Sequence, residues 1–155
     1  MATNPDHIFA KIISGDGLSR AQIREVASWS NSSNEDELVA WCYWNLKTRK
    51  HILLLRRTIT LLLSSKSIKS QTNILVVLQG ATRPVFQSAS LQKALLKVAK
   101  STNVAVRGNA TWILSFLASI GVKKAVRMLV VRTKDTDLRV RKNAKIFASR
   151  LRLNV

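Results

Sequence analysis

Apolar residues recur along most of the chain at spacings of three and four, and turn-forming residues fill the intervals. The spacing predicts a short helix over HIFAKII, opened near Pro5 and stopped by Gly15 and Gly17. Ser19 with Gln22 forms a capping-box pattern for a second helix, with Ile23, Val26 and Trp29 on one face. Ser33 or Asn34 can cap a third, in which Glu35, Asp36 and Glu37 suit the positive end of the helix dipole. That helix continues through LVAWCYWNLK, with Leu38, Trp41 and Cys42 at core spacing. From about Arg49 to Ser64 apolar positions fall on nearly every side, interrupted by Arg56 and Arg57, which reads as a helix packed on two faces. A further helix runs from about Ile68 to Leu78 and ends at Gly80. GATRPVFQSAS is the clearest break in the chain, after which Ser88 or Ser90 can cap a helix over about Leu91 to Lys100.

The C-terminal half has the plainest periodicity. After the turn STN comes VAVRGNATWILSFLASI, ended by Gly121; then VKKAVRMLVVR, the turn TKDTD, and LRVRKNAKIFASRLRL. The stretch VRGNATWILSFL (Val106 to Leu117) returns 34 residues later as VRKNAKIFASRL (Val140 to Leu151), with six of twelve positions identical. On one face of the first lie Val106, Ala110, Leu114 or Ile113, and Leu117; on the second, Val140, Ala144, Phe147 or Ala148, and Leu151. One helical hairpin cannot bury such a stripe alone, whereas stacked hairpins bury each against the next. The expectation is a single all-α domain over residues 1–155, a short right-handed α-solenoid of stacked helical hairpins.

At these residues the chain resembles HEAT and armadillo repeats, over residues 91–153. The HEAT pattern sets an acidic residue in the turn, then Val-Arg, then a small residue, matched by Asp137, Val140-Arg141 and Ala144; the first copy has Asn103, Val106-Arg107 and Ala110. The resemblance implies that Arg107 and Arg141 support hydrogen bonding between repeats. NATWILSFL also looks like the third helix of an importin-α armadillo repeat: Trp112 fits, but Phe116 stands at the asparagine position, and the surroundings are basic. Gripping a Lys/Arg-rich peptide would set like charges together, so that activity is not carried over. The HEAT-like DNA alkylpurine glycosylases are also basic solenoids, with a lesion-site carboxylate. Here the only acids after residue 37 are Asp135 and Asp137, in a turn, and glycosylase activity is not expected.

Charge sharpens the picture. The net charge is +18, from 26 basic and 8 acidic residues, while 46% of residues are apolar, so the chain is not a disordered polyelectrolyte. Residues 1–37 carry three basic and six acidic residues; residues 38–155 carry the other 23 basic ones against two acids. So lopsided a surface repels itself unless an anionic partner is near. A nucleic acid is the expected partner, met through its phosphates with little sequence specificity and without telling DNA from RNA. Lys100, Arg107, Lys124, Arg127, Arg132, Lys134, Arg139, Lys142 and Lys145 are the expected contacts, with Lys134, Arg139, Lys142 and Lys145 placed first because they fall outside the repeated positions. The alternative is a protein-interaction scaffold, or a self-assembling RNA-packaging protein, whose basic face takes an acidic partner. The acidic segment 1–37 could dock on the basic region of another copy.

Chemistry for catalysis is not evident. His7 and His51 stand apart with no paired carboxylate, no metal-ligand spacing occurs, and GxxxxGK[ST], GxSxG and GxGxxG are all missing. Cys42, in an aromatic helix, reads as a buried filler. The expectation is a non-enzyme with neither cofactor nor metal. A lone cysteine suits a reducing intracellular setting, cytoplasm or nucleus, and the N-terminus lacks the charge pattern and apolar core of a signal peptide. The longest apolar run, Ile52 to Leu63, is short and carries two arginines, so no membrane span is expected.

Overall fold

A computed structural model describes residues 35–46 and 52–154. Among these residues the chain is all-helical: α1 (Glu35–Leu46), α2 (Ile52–Ser64), α3 (Ile68–Leu78), a 3-10 helix (Arg83–Gln87), α4 (Ala89–Val98), α5 (Val104–Ser119), α6 (Lys123–Arg132) and α7 (Leu138–Arg150). The two helices expected before residue 33, the cap at Ser33 or Asn34, and both histidines lie outside the described residues.

Local chemistry sets the helix ends. Ser67, Ser88, Asn103 and Asp137 are N-caps in extended conformation, and each side chain accepts a backbone N–H from the first turn that follows. Of the two serines considered before α4, Ser88 is the cap: it accepts from the Leu91 amide, while Ser90 bonds the Ser88 hydroxyl. Gly121 ends the α5 segment at φ +93°, a left-handed conformation that costs glycine nothing.

One segment differs from its sequence reading. The break around Pro84 folds as a one-turn helix that buries Val85 and Phe86. Phe86 packs against Phe116 of α5, ring centroids 4.7 Å apart and tilted. This turn also explains an arginine inside the apolar α2: Arg56 donates to the carbonyls of Pro84 and Val85, so α2 holds the 3-10 segment by its backbone. Periodicity gives no sign of such a link, because it joins positions 29 apart.

Packing follows a regular pattern. α1 packs on α3, α3 on α5, and α5 on α7, while α2 packs on α4; each helix also meets its neighbour in sequence across the pairs α1–α2, α2–α3, α4–α5, α5–α6 and α6–α7. Buried leucine, isoleucine, valine and alanine side chains run through these contacts as one core, from Leu38 and Cys42 in α1 to Ala144 in α7. Cys42 is fully buried, and burial pushes its thiol up, away from the reactive thiolate. The stripes of α5 and α7 carry Val106, Ala110 and Leu117, and Val140, Ala144 and Ala148, all buried. In α5 both Ile113 and Leu114 are buried; in α7 Ala148 is buried and Phe147 only half-buried. No helix among the described residues is long and apolar enough to cross a membrane.

Candidate functional site

Three lysines of one helix lie on one face for a geometric reason. Lys93, Lys97 and Lys100 are spaced by four and then three, which keeps them on the solvent side of α4 and its first following turn while Leu91, Leu95 and Val98 enter the core. On α6, Lys124 and Arg127 share a face in the same way, with Ala125 and Leu129 buried behind them. α4 and α6 are not closely packed on each other, and the space between them is a groove of about 660 Å³. Its walls carry all five cations; Leu96, Val122 and Met128 supply an apolar lining. The five are exposed, and none has an ion-pair partner among the described residues.

Two smaller depressions adjoin this groove. Lys97 is shared with one that also holds Lys66, and Lys100 with another that holds Lys134 and Arg132. The positive surface therefore runs as a strip from Lys66, along α4, to Lys134.

A buried ionic cluster fixes the floor beside Lys100. Asp135 accepts from Arg107 Nε at 2.8 Å and Nη2 at 3.1 Å, and from Arg132 Nη1 at 2.9 Å. It also accepts the Asp137 amide at 2.9 Å. Arg107 spends Nη1 on the carbonyls of Ser101 and Thr102, and Arg132 spends Nη2 on that of Ala99. The end of α4, the turn after it, α5, α6 and the turn before α7 are thus tied to one carboxylate. Burial pushes the Asp135 carboxyl up, but the Arg107 hydrogen bonds, the Asp137 amide and Arg132 outweigh it and hold the carboxyl below its ordinary range. The Arg107 guanidinium is raised in turn, chiefly by its hydrogen bond to Asp135 and against the effect of burial.

The structure divides the nine expected contacts. Lys100, Lys124 and Arg127 come together in the α4–α6 groove, and Lys134 lines the adjoining depression that shares Lys100 with it. Arg107 and Arg132 line the adjoining depression, Arg107 through Nε, Nη1 and Nη2 and Arg132 through Nη1 and Nη2 bonded to Asp135 and backbone carbonyls. Arg139 faces a different groove, between α5 and α7, with Asn109, Trp112, Asn143 and Phe147. Lys142 and Lys145 are exposed on α7 and line neither groove. Lys66, Lys93 and Lys97 complete the strip outside that expected set. The spacing within α4 carried a signal for Lys93 and Lys97; Lys66 sits in a turn with no periodicity to place it.

Trp112 is half-buried and stacks on Phe116, centroids 6.1 Å apart and planes 9° from parallel. Among the described residues no group of three His, Cys, Asp or Glu side chains converges as a metal site would require. Compared with known proteins, no family, no curated sequence and no solved structure matches this chain.

Proposed function

We propose that this chain is a short α-solenoid of HEAT/armadillo-like hairpins that binds nucleic acid through the phosphate backbone, without catalysis. The observation that carries the reading is the α4–α6 groove, where five cations with no ion-pair partner among the described residues face one another across an apolar lining. Like charges held together in water raise the energy of the free surface, and a polyanion relieves that repulsion while releasing its counterions. The groove has no acceptor-rich side chains beyond Gln92 with which to read base edges, so shape and charge dominate over sequence. The solenoid part of the reading is supported by the α1–α3–α5–α7 row and by the 34-residue echo, whose members cap and anchor their turns alike.

A salt titration of binding to labelled duplex DNA, single-stranded RNA and an acidic peptide of matched length tests this. Five phosphate contacts give a slope of log K against log salt of roughly −4.5 on duplex DNA. Reversing Lys97, Lys100 and Arg127 together to Glu is expected to lower affinity by roughly a hundredfold at moderate salt. A flat salt dependence, or binding that this variant retains, overturns the reading.

A second reading, a protein-interaction scaffold, has its own observation. The α5–α7 groove, about 590 Å³, presents the amide of Asn143 beside Trp112 and Phe147, while Gln79 donates to Asn109 and Asn109 to the Ala105 carbonyl. Amides pair with a peptide backbone, and aromatics take its side chains. Preference for the acidic peptide over both nucleic acids in the same titration favours this reading.

A further inference from the structure

Arg107 and Arg141 are 34 residues apart and hold their own turns alike. Arg107 Nη1 donates to the carbonyls five and six residues before it, Thr102 at 2.9 Å and Ser101 at 3.1 Å. Arg141 Nη1 donates to the carbonyls at the same offsets, Thr136 at 3.3 Å and Asp135 at 2.6 Å. The turns match as well: Asn103 caps α5 and Asp137 caps α7, and the Asn103 and Asp137 amides donate to the side chains of Ser101 and Asp135.

The two arginines differ at one edge. The Nε–Nη2 edge of Arg107 holds the carboxylate of Asp135, delivered by the turn of the following hairpin. The same edge of Arg141 has no partner among the described residues, although the residue is half-buried and its guanidinium is already aimed by its Nη1 bonds. A planar fork fixed in this way takes a carboxylate in two parallel hydrogen bonds. On the same flank of α7 stand Lys145, four residues on, and Leu138, three residues back, both exposed.

We infer that the flank of α7 that carries Arg141 and Lys145 docks the acidic segment Glu35-Asp36-Glu37 of a second copy of this chain. The acids after residue 37 are Asp135 and Asp137 alone; one is committed to Arg107 and Arg132, and the other caps α7. A second copy must therefore offer its carboxylates from residues 1–37, where six of them lie and these three are consecutive. Asp36 is exposed, and its contact with Lys69 is an exposed pair that is readily exchanged. Glu35, Asp36 and Glu37 of the same chain do not meet Arg141, because α1 and α7 sit at opposite ends of the α1–α3–α5–α7 row. The contact joins two different surfaces, so it propagates head to tail. It uses neither Lys93, Lys97, Lys124 nor Arg127, and does not rest on the nucleic-acid reading.

Sedimentation velocity over a wide concentration range, at low and high salt and with nucleic acid removed, tests this. Expected is an average mass that rises with concentration at low salt without stopping at a dimer. Arg141→Gln, and separately Glu35→Gln/Asp36→Asn/Glu37→Gln, weaken association by roughly tenfold or more, the size expected when one partner of a bidentate pair is lost. The second variant leaves α7 intact, so a folding defect at Arg141 cannot mimic the result. Mixing Arg141→Glu with Glu35→Lys/Asp36→Lys/Glu37→Lys restores association between the two. A monomer at every concentration overturns the inference, as does association that both loss variants retain.

Discussion

Arg107 and Asp135 form a bidentate pair across 28 residues of sequence, with the Asp135 side chain 2% and the Arg107 side chain 10% exposed. The pair is largely withdrawn from solvent, so water screens it little. It joins the turn after α4 to the turn before α7 and so sets where Lys100 and Lys134 stand in the depression adjoining the groove.

Breaking that pair is expected to be costly. Asp135→Asn leaves two guanidinium groups near the same buried point without their counter-charge. The expected loss is about 3–5 kcal/mol of stability, measured by urea denaturation, with a melting temperature roughly 10 °C lower. A loss below about 1 kcal/mol would mean that the cluster is solvated in solution.

The same carboxylate predicts a pH dependence. Its folded-state pKa lies below the unfolded value of about 3.9, so the unfolded chain takes the proton first as pH falls. The contribution of Asp135 is therefore complete above about pH 4 and is lost below it, as pH falls through the depressed folded value. Other carboxylates act on wild type and Asp135→Asn alike, so the difference between their denaturation midpoints isolates this group. That difference is expected to be constant near neutrality and to shrink below about pH 4.

Two glycines should respond in opposite senses to alanine. Gly108 lies inside α5, and a Cβ there would meet Val140 Cγ2 at 3.7 Å, an ordinary contact. Gly108→Ala is expected to stabilise by about 0.5–1 kcal/mol through helix propensity and reduced freedom of the unfolded chain. Gly121 has open space around its Cα but a φ of +93°. Gly121→Ala is expected to destabilise by about 1 kcal/mol or more through backbone strain. Thermal melts of the two variants beside wild type check both signs.

The grooves predict a division of labour among the cations. Lys93→Gln with Lys124→Gln should lower the magnitude of the salt slope on duplex DNA by about two, since each removed phosphate contact takes away about 0.9. Lys142→Gln with Lys145→Gln should leave that slope unchanged, because neither side chain lines the α4–α6 groove. Equal effects from both pairs would place the polyanion on a broader surface than this groove.

Much of the local structure was legible in order along the chain. The bounds of α3 follow from periodicity and its stop signal, and the paired stripes of α5 and α7 from the 34-residue echo, because spacing and caps act within a few residues. Val85 and Phe86 were not legible as core, since the break around Pro84 has no period to show which side faces inward. The site was legible in part. Lys100, Lys124 and Arg127 were expected contacts and do meet in one groove, while Arg139, Lys142 and Lys145, placed ahead of them as expected contacts, lie elsewhere. Charge along a sequence says that a face is positive, not which helix it looks toward.

The sequence by itself determined helices, their caps and stops, a strongly basic region after residue 37, and a turn chemistry used twice. These are local properties, fixed by bonds and side-chain periodicity over one or two helical turns. Only the tertiary structure decided that Arg56 holds the Pro84 turn, that Asp135 belongs to Arg107 and Arg132, and that α4 and α6 stand apart with their lysines facing. Those relationships depend on how helices distant in sequence pack. The packing is set by the summed fit of many apolar side chains, no one of which carries the answer.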